Sequence, residues 1–446
     1  MDQQGAVEFV LGLAQEHHQS DVDLVLQRGE NLTLRVFNGQ VEKIDQATAL
    51  GLGIRVVQEG RTGIAYTERL APEAIERAFV AARENALLND PTEVVLPSAP
   101  DEVPDPHALG LYNPELEEVT VADLETFGLE IEAAARAADA RVTSVPALVV
   151  SRSNSEFRVV STHGVTYYQR QNAIGASCQV LLEDQGARKS GRYGWSQRQW
   201  DPARSQDIGT LAVAKGADLL HAAPIPGGQV PVVLDEYCAP QLLSIYFGCF
   251  SGDAAQKGQS RLKDKLGEII ADASLNLTDD PHRIGASGSC YVDAEGTLTQ
   301  PMPLITDGQF SNFLYHIESA RRAGRESTGH AGRGYTGGIS TTRHNTVMPT
   351  GDYTLDELIA LPERCLLITQ LEGAAGCQPL SGDISIGVQG FWVENGQRRQ
   401  PVDSVTIAGN FFDVLKSIRA RGNFYQPNLT SMYVPPLLID GLVVSS

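Results

Sequence analysis

The sequence has 446 residues, of which 42% are hydrophobic and 20% are charged, and its formal net charge is −20. The length predicts about two to three domains, and the composition is that of a globular protein, because disordered chains carry fewer hydrophobic residues. Since affinity for nucleic acid depends largely on Lys and Arg, the acidic balance excludes nucleic acid as an expected partner.

The chain shows no targeting or membrane segment. Its first residues contain no basic region followed by an apolar stretch, and no run of about 18 apolar residues occurs. We therefore expect a cytoplasmic protein that does not associate with membranes. The six cysteines lie far apart without a C-x-x-C pair, a pattern typical of buried free thiols and not of disulfides or a cysteine zinc site.

The N-terminal part predicts a small α/β domain. Apolar residues recur at helical spacing from Gly5 to about His17. From 22 to 67 the chain changes to short β-prone runs, with expected breaks at 28–31 and at Asn38-Gly39, which is a favoured hairpin turn. These runs indicate an antiparallel meander. A second helix is predicted from Pro72 to about Leu88, since proline suits the first helical turn.

The rest of the chain predicts a mixed middle domain and a β-rich C-terminal domain. A proline-rich lead-in precedes predicted helices at Thr120–Ala138 and Asp207–Ala222. After the Pro/Gly cluster at 223–228, short strands are predicted, with one helix at Phe411–Ala420. No internal repeat is apparent. The predicted class is therefore α+β, with domains at 1–90, 91–222 and 223–446.

Motifs for hydrolytic chemistry are missing from the sequence. Zinc peptidases need imidazoles or thiolates that converge on the metal, and a carboxylate that takes a proton from the bound water. Neither H-E-x-x-H nor H-E-x-x-x-H occurs among the nine histidines, and there is no G-x-S-x-G elbow. The G-x-G-x-x-G match at 332–337 lacks a preceding strand and a following helix.

A glycine-rich stretch at 323–340 is the strongest candidate for substrate contact. It carries Arg325, His330, Arg333 and Tyr335. Exposed glycine backbone beside basic and aromatic side chains can line a peptide cleft. The alternative interpretation is a mobile surface loop.

Dispersed stretches of the C-terminal half resemble the TldD/TldE (PmbA) metallopeptidase family. They occur in the family's order, and the predicted layout in three parts agrees with the family's domains. The stretches are Phe250-Ser-Gly-Asp253, Gln259–Gly267, Val292–Thr297, Leu304–Gly308, Arg343-His-Asn-Thr346 and Pro401–Asn410.

The resemblance also shows what this chain lacks. In the zinc-binding branch, H-E-x-x-x-H precedes the equivalent of Gly252-Asp253, and a cysteine ligand lies toward the C-terminus. Anchoring on Gly252-Asp253 places the two histidine positions at Leu243 and Gly248 and the glutamate position at Ser244. None of these side chains can bind zinc or act as the carboxylate base. Residues 421–446 contain no cysteine.

The resemblance therefore implies a TldE-like subunit without catalytic residues or a metal of its own. It implies a heterodimer with a TldD-like subunit that carries the zinc, acting on unfolded or flexible peptides in peptide maturation and degradation. Such peptides would add as strands to a sheet edge. A homodimer in isolation is compatible with this interpretation, because paralogous partner surfaces can be similar enough to self-pair.

Two other hypotheses remain open at this point. One is a self-associating peptide-binding protein without proteolytic activity. The other is an independent hydrolase with an unorthodox metal site, for which His330, His344 and Asp352 are the candidate residues.

Overall fold

The computed structural model describes residues 1–92 and 94–445. Its first part is a helix, three antiparallel strands and a second helix, as predicted. The hairpin between the first two strands turns at Asn38 and Gly39, whose φ angles of 52° and 73° suit this residue pair. The elements are α1 (Gln3–Glu16), β1 (Asp21–Phe37), β2 (Gln40–Gln58), β3 (Arg61–Thr67) and α2 (Pro72–Leu88).

The predicted break at 28–31 is wrong, because β1 continues through these residues. Gly29 pairs with Ala49 of β2 on one side and with Ser155 on the other side. A strand with neighbours on both sides satisfies its backbone groups. The turn-like composition of this segment is therefore overridden by pairing.

The middle part adds three more strands to the same sheet. The predicted helix at Thr120–Ala138 is confirmed, whereas the one predicted at Asp207–Ala222 begins and ends earlier in the chain. The elements are a short 3-10 helix (Pro106–Leu109), α3 (Glu115–Glu118), α4 (Val121–Ala138), β4 (Val142–Ser161), β5 (Thr166–Asp184), β6 (Ala187–Gln197) and α5 (Arg204–Ala217). The strand order is β3-β2-β1-β4-β5-β6, which we call the N-terminal sheet.

The N-terminal sheet is built from two topologically equivalent halves. Helix α1, strands β1 to β3 and helix α2 form one half, and α4, β4 to β6 and α5 form the other. The halves meet where β1 pairs antiparallel with β4. The two halves therefore repeat the same topology, although the sequence shows no internal repeat.

The C-terminal part is β-rich, as predicted. Its strands are β7 (Gly228–Gln229), β8 (Val232–Leu234), β9 (Leu277–Asp279), β10 (Met302–Thr306), β11 (Gln309–Phe310), β12 (Ala331–Gly332), β13 (Ser340–Thr341), β14 (Thr346–Val347), β15 (Arg364–Leu371), β16 (Asp383–Glu394), β17 (Gln397–Asn410), β18 (Ile418–Arg421), β19 (Met432–Tyr433), β20 (Leu437–Ile439) and β21 (Val443–Ser445). One sheet has the order β18-β20-β8-β15-β16-β17-β21-β7, and another has the order β11-β10-β9-β14-β19. Strands β12 and β13 pair with each other.

Short helices connect these strands. They are α6 (Cys238–Tyr246), α7 (Gly252–Gln256), α8 (Ile317–Arg322), α9 (Leu355–Ala360) and α10 (Phe411–Val414), with a 3-10 turn at Phe247–Phe250. The helix predicted at Phe411–Ala420 ends at Val414, and β18 follows from Ile418. Within 1–92 and 94–445, no helix is both long and apolar enough to cross a membrane.

Helix α6 lies in the largest hydrophobic core. Leu242, Leu243 and Tyr246 are buried there. The Tyr246 ring stacks on Phe411 with centroids 4.6 Å apart, and its hydroxyl donates to the carbonyl of Asp383 at 2.7 Å. The segment that would carry a zinc motif is therefore fixed by ordinary core packing.

Candidate functional site

Of the three positions at which the resemblance places the zinc motif, one lies in the hydrophobic core and two line a cavity. Leu243 is 4% exposed and belongs to the core. Ser244 is partly exposed, Gly248 is exposed, and both line a cavity of about 420 Å³. Ser244 lies on α6, and Gly248 lies in the 3-10 turn that directly follows this helix. We call this space the motif cavity.

The walls of the motif cavity are mostly hydroxyl-bearing. Its lining residues are Ser244, Phe247, Gly248, Ser251, Leu314, Thr341, Thr342, Arg343 and Ser431. In this set there is no histidine, cysteine or carboxylate, so these residues do not fit zinc. Across the described part of the chain, no group of three or more His, Cys, Asp or Glu could hold a metal ion.

A second cavity of about 450 Å³ lies between the N-terminal sheet and the C-terminal part. We call it the sheet cavity. Strands β1, β4 and β5 supply one wall, with Gln27, Phe157 and Gln169 among the lining residues. The opposite wall contains residues from 290 to 344. Thr342 lines both the sheet cavity and the motif cavity.

The glycine-rich stretch packs against the N-terminal sheet. Tyr335 donates its backbone N–H to Gln27 at 3.0 Å and its hydroxyl to Glu68 at 2.8 Å. Its ring lies so close to Gly51 that a Cβ there would be 2.1 Å from it. These contacts contradict the mobile-loop interpretation. Arg333 and Tyr335 line the sheet cavity, and Arg325 is exposed elsewhere on the surface.

Arg333 belongs to a buried ionic network that joins the two parts of the chain. It donates to Asp23 at 2.8 Å, and Arg55 donates to both Asp23 and Glu295. Burial alone would raise the pKa of Asp23, but the charges of Arg333 and Arg55 outweigh it, and the pKa lies below its ordinary value. All four side chains are at least 98% buried, so the network is structural.

His330 and His344 form a closed cluster with Asp279. The His330 side chain is 0% exposed, and its Nε2 lies 3.1 Å from Asp279, so the structure offers it no direct access to a peptide. His344 donates its backbone N–H to Asp279 at 2.7 Å. Burial, followed by the neighbouring His330, lowers the pKa of His344 to about 4. Asp279 thus binds the imidazole of His330 and the backbone N–H of His344.

The candidate residues of the independent-hydrolase hypothesis are not brought together as a site. Asp352 is exposed, and within the described residues no hydrogen bond or ion pair joins it to His330 or His344. Cys290, also missed in the sequence, has its Sγ 3.4 Å from Nδ1 of His344. Burial raises the pKa of the Cys290 thiol above its ordinary value, so this pair is not an activated nucleophile.

The long antiparallel sheet, the β-rich second part and the sheet cavity between them define an α+β protein with a cleft between its two parts. Three models of one family match it in chain order. PmbA/TldA metallopeptidase domain 1 matches residues 22–86, the central domain matches 114–220, and the C-terminal domain matches 227–446. The chain therefore belongs to the PmbA/TldD metallopeptidase family.

Relatives from both named branches align over most of their length. The Escherichia coli O157:H7 metalloprotease PmbA is 27% identical, covering 94% of this chain and 90% of the relative. A Haemophilus influenzae metalloprotease TldD homolog is 26% identical, covering 89% and 84%. The crystal structure of TldE from Thermococcus kodakarensis has the same fold, with a TM-score of 0.87 at 24% identity over 99% of this chain and 100% of that one.

Proposed function

We propose that this chain is a non-catalytic, TldE-like subunit of a cytosolic heterodimeric zinc peptidase that acts on unfolded or flexible peptides. A TldD-like partner supplies the zinc. The observation that carries the proposal is the motif cavity, where Ser244 and Gly248 occupy the expected position but offer neither a metal ligand nor a base. The cavity therefore offers a concave space without the groups of a zinc peptidase.

The similarity to a TldD homolog as well as to a PmbA protein supports the pairing. Chains that share one fold can form a pseudo-symmetric dimer through equivalent surfaces. In such a dimer one chain can carry the reaction while the other completes the cleft. Self-association of this chain alone would use the same surface.

An open strand edge supports the proposed peptide substrate. β2 pairs with β3 only from Leu52 to Gln58. Toward its start, residues 40–50 pair with β1 on one side, and most of them are exposed. Within the described residues, no strand covers the other side. An extended peptide can add to such an edge through backbone hydrogen bonds, with little dependence on its sequence.

The test is metal content and peptidase activity of the full chain, alone and mixed with a zinc-bearing TldD-like paralogue from the same genome. We expect no zinc by elemental mass spectrometry and no cleavage of a flexible peptide by the chain alone. Activity should appear when the paralogue is added, and it should exceed that of the paralogue alone. Stoichiometric zinc together with activity in the isolated chain would overturn the proposal.

A variant at Ser244 distinguishes a subunit that only completes the cleft from one that takes part in catalysis. Ser244→Ala removes the only side-chain function at the glutamate position, so partner-dependent activity should fall by less than about tenfold, the effect of one lost hydrogen bond, if this chain is not catalytic. A loss of about 100-fold or more, which is typical when a general base is removed, would instead make Ser244 a catalytic group.

A further inference from the structure

Arg343 is a cation at the motif cavity whose nearest opposite charge, Asp279, acts on it without forming an ion pair. Within the described residues its side chain forms no ion pair and no hydrogen bond, and its Nε is buried without a partner. Its guanidinium carbon lies 5.4 Å from the centroid of the Phe247 ring. By contrast, the buried Arg55 and Arg333 each bind carboxylates. A partly buried guanidinium with unused donors indicates a missing acceptor.

The surroundings of Arg343 suit an anion. Ser244, Ser251, Thr341 and Ser431 place hydroxyl-bearing side chains around the cavity, and no carboxylate is among its lining residues. Burial lowers the pKa of Arg343 from its ordinary value, yet an arginine stays protonated at any physiological pH. The site therefore combines one permanent positive charge with neutral hydrogen-bond donors.

The shape of the motif cavity leaves room for a ligand beside Arg343. A Cβ built on Gly248 would meet no atom within 4 Å. Phe247 and Leu314 supply an apolar part of the wall. A ligand with one negative charge next to a small or apolar group matches this lining. A carboxylate matches better than a phosphate ester, because one arginine neutralises its single charge, whereas the net charge of −20 repels more highly charged anions.

We propose that the motif cavity binds the C-terminal carboxylate of a peptide through Arg343. The inference rests on the proposed function insofar as peptides are the substrate. Thr342 lines both cavities, so a peptide in the sheet cavity that continues past Thr342 reaches Arg343. The motif cavity thus anchors the C-terminal end of a substrate chain.

The test compares three flexible Gly/Ser/Ala peptides that end in leucine, using calorimetric titration of the full chain at low salt. One is a free acid, one is its C-terminal amide, and one is an amide with a glutamate before the leucine. We expect the free acid to bind about tenfold or more tightly than either amide, since a charge-assisted bidentate pair is lost in the amides. Arg343→Gln should abolish this preference, and Arg343→Lys should keep part of it.

Two further variants keep the result interpretable. Arg77→Gln changes an exposed arginine on α2 and should leave the preference intact. Gly248→Leu places a side chain inside the motif cavity, where a Cβ meets no atom within 4 Å, and should abolish binding of the free acid. It should not lower the thermal midpoint of unfolding by more than about 2 °C, because the new side chain displaces no protein atom.

Equal affinity for the free acid and its amide, an unchanged preference in Arg343→Gln, or no binding of any peptide would overturn the inference. Tight binding of the glutamate-containing amide would overturn it in favour of an acidic side chain as the ligand. These titrations need no partner or zinc. Failure of the subunit proposal would appear as zinc-dependent activity of the isolated chain, whereas failure of this inference would appear only in the peptide preference.

Discussion

At the scale of single residues, the cluster of Asp279, His330 and His344 has a protonation state set by burial. Nε2 of His344 donates to the carbonyl of Gly329 at 2.7 Å, which leaves Nδ1 to accept from the thiol of Cys290. The imidazole is therefore neutral and uses both nitrogens. A second proton would break one of these bonds and would place a charge beside His330.

This cluster predicts an acid-sensitive contribution to stability. The pKa of His344 is about 4 in the folded chain, against an ordinary value of 6.5. Between these values the unfolded chain binds a proton that the folded chain does not, so the free energy of unfolding falls as the pH is lowered from 6.5 to 4. The contribution is fully present above pH 6.5, and its loss amounts to about 3 kcal/mol.

The measurement is urea unfolding of the full chain at a series of pH values from 7 to 4. His344→Gln should be less stable at pH 7 and should show a shallower fall in the free energy of unfolding across this window. His107→Gln is the matched control, because the His107 side chain is exposed and forms no ion pair within the described residues, and the variant should keep the wild-type slope. An identical slope in His344→Gln and the wild type would contradict the assignment.

The sequence could predict part of this site and not the rest. The resemblance located Ser244 and Gly248, and both do line a cavity. It could not reveal that Arg343 faces the same cavity, because the two segments meet only through tertiary packing. Arg333 looked like a peptide contact by composition, yet its partner Asp23 is distant in the chain and pairs with it only after folding.

At the scale of elements, a glycine on each edge strand of the N-terminal sheet sets the distance to a helix. A Cβ on Gly63 of β3 would lie 2.0 Å from the carbonyl oxygen of Ala82 on α2. A Cβ on Gly191 of β6 would lie 2.0 Å from the carbonyl oxygen of Ala212 on α5. The two topological halves therefore use the same device, in which strand and helix backbones come into contact.

Gly63→Val and Gly191→Val should each destabilise the chain by about 1–3 kcal/mol, because the helix backbone must move to admit the side chain. The measurement is the urea midpoint of unfolding, combined with circular dichroism to confirm the fold. Gly29→Val is the matched control, since a Cβ at this position of β1 meets nothing within 4 Å. If Gly63→Val and Gly191→Val unfolded at the same urea concentration as the wild type and as Gly29→Val, the close-contact explanation would be wrong.

Elements with strong local periodicity were predictable, and elements defined by pairing were not. Helix α2 lies where it was predicted, with Pro72 in its first turn. By contrast, a helix was predicted at Phe411–Ala420, but α10 ends at Val414 and β18 follows from Ile418, where it pairs with β20. The repeat in the N-terminal sheet escaped notice because topology can persist without a shared residue pattern.

At the scale of the whole molecule, several separate groups of contacts join residues 1–222 to residues 223–445, among them the Tyr335 contacts with Gln27 and Glu68 and the Lys189–Asp403 ion pair. Near β1 the buried network of Asp23, Arg55, Glu295 and Arg333 links them. Near β6, Asn428 donates to the carbonyl of Gly194 at 2.9 Å. The sheet cavity lies between the two parts, so its width depends on these contacts.

This arrangement predicts that the two parts stay together after the chain between them is cut. A specific protease site inserted after the exposed Pro226 would allow cleavage without loss of either sheet. The cut wild-type protein should elute from a sizing column as one species. With Arg55→Met, Glu295 loses its buried counter-ion, which costs about 3–5 kcal/mol. The dissociation constant of the two fragments should then be at least about 100-fold higher than that of the cut wild-type protein.

Arg69→Met is the control for this experiment, because Arg69 is exposed and forms no ion pair with the described residues. Its cut form should elute like the cut wild type. Separation of the wild-type fragments at micromolar concentration would show that the ionic network does not hold the cleft together. Retention of both fragments in Arg55→Met would show that the remaining contacts, such as those of Tyr335 and the Lys189–Asp403 ion pair, hold the two parts together without the buried network.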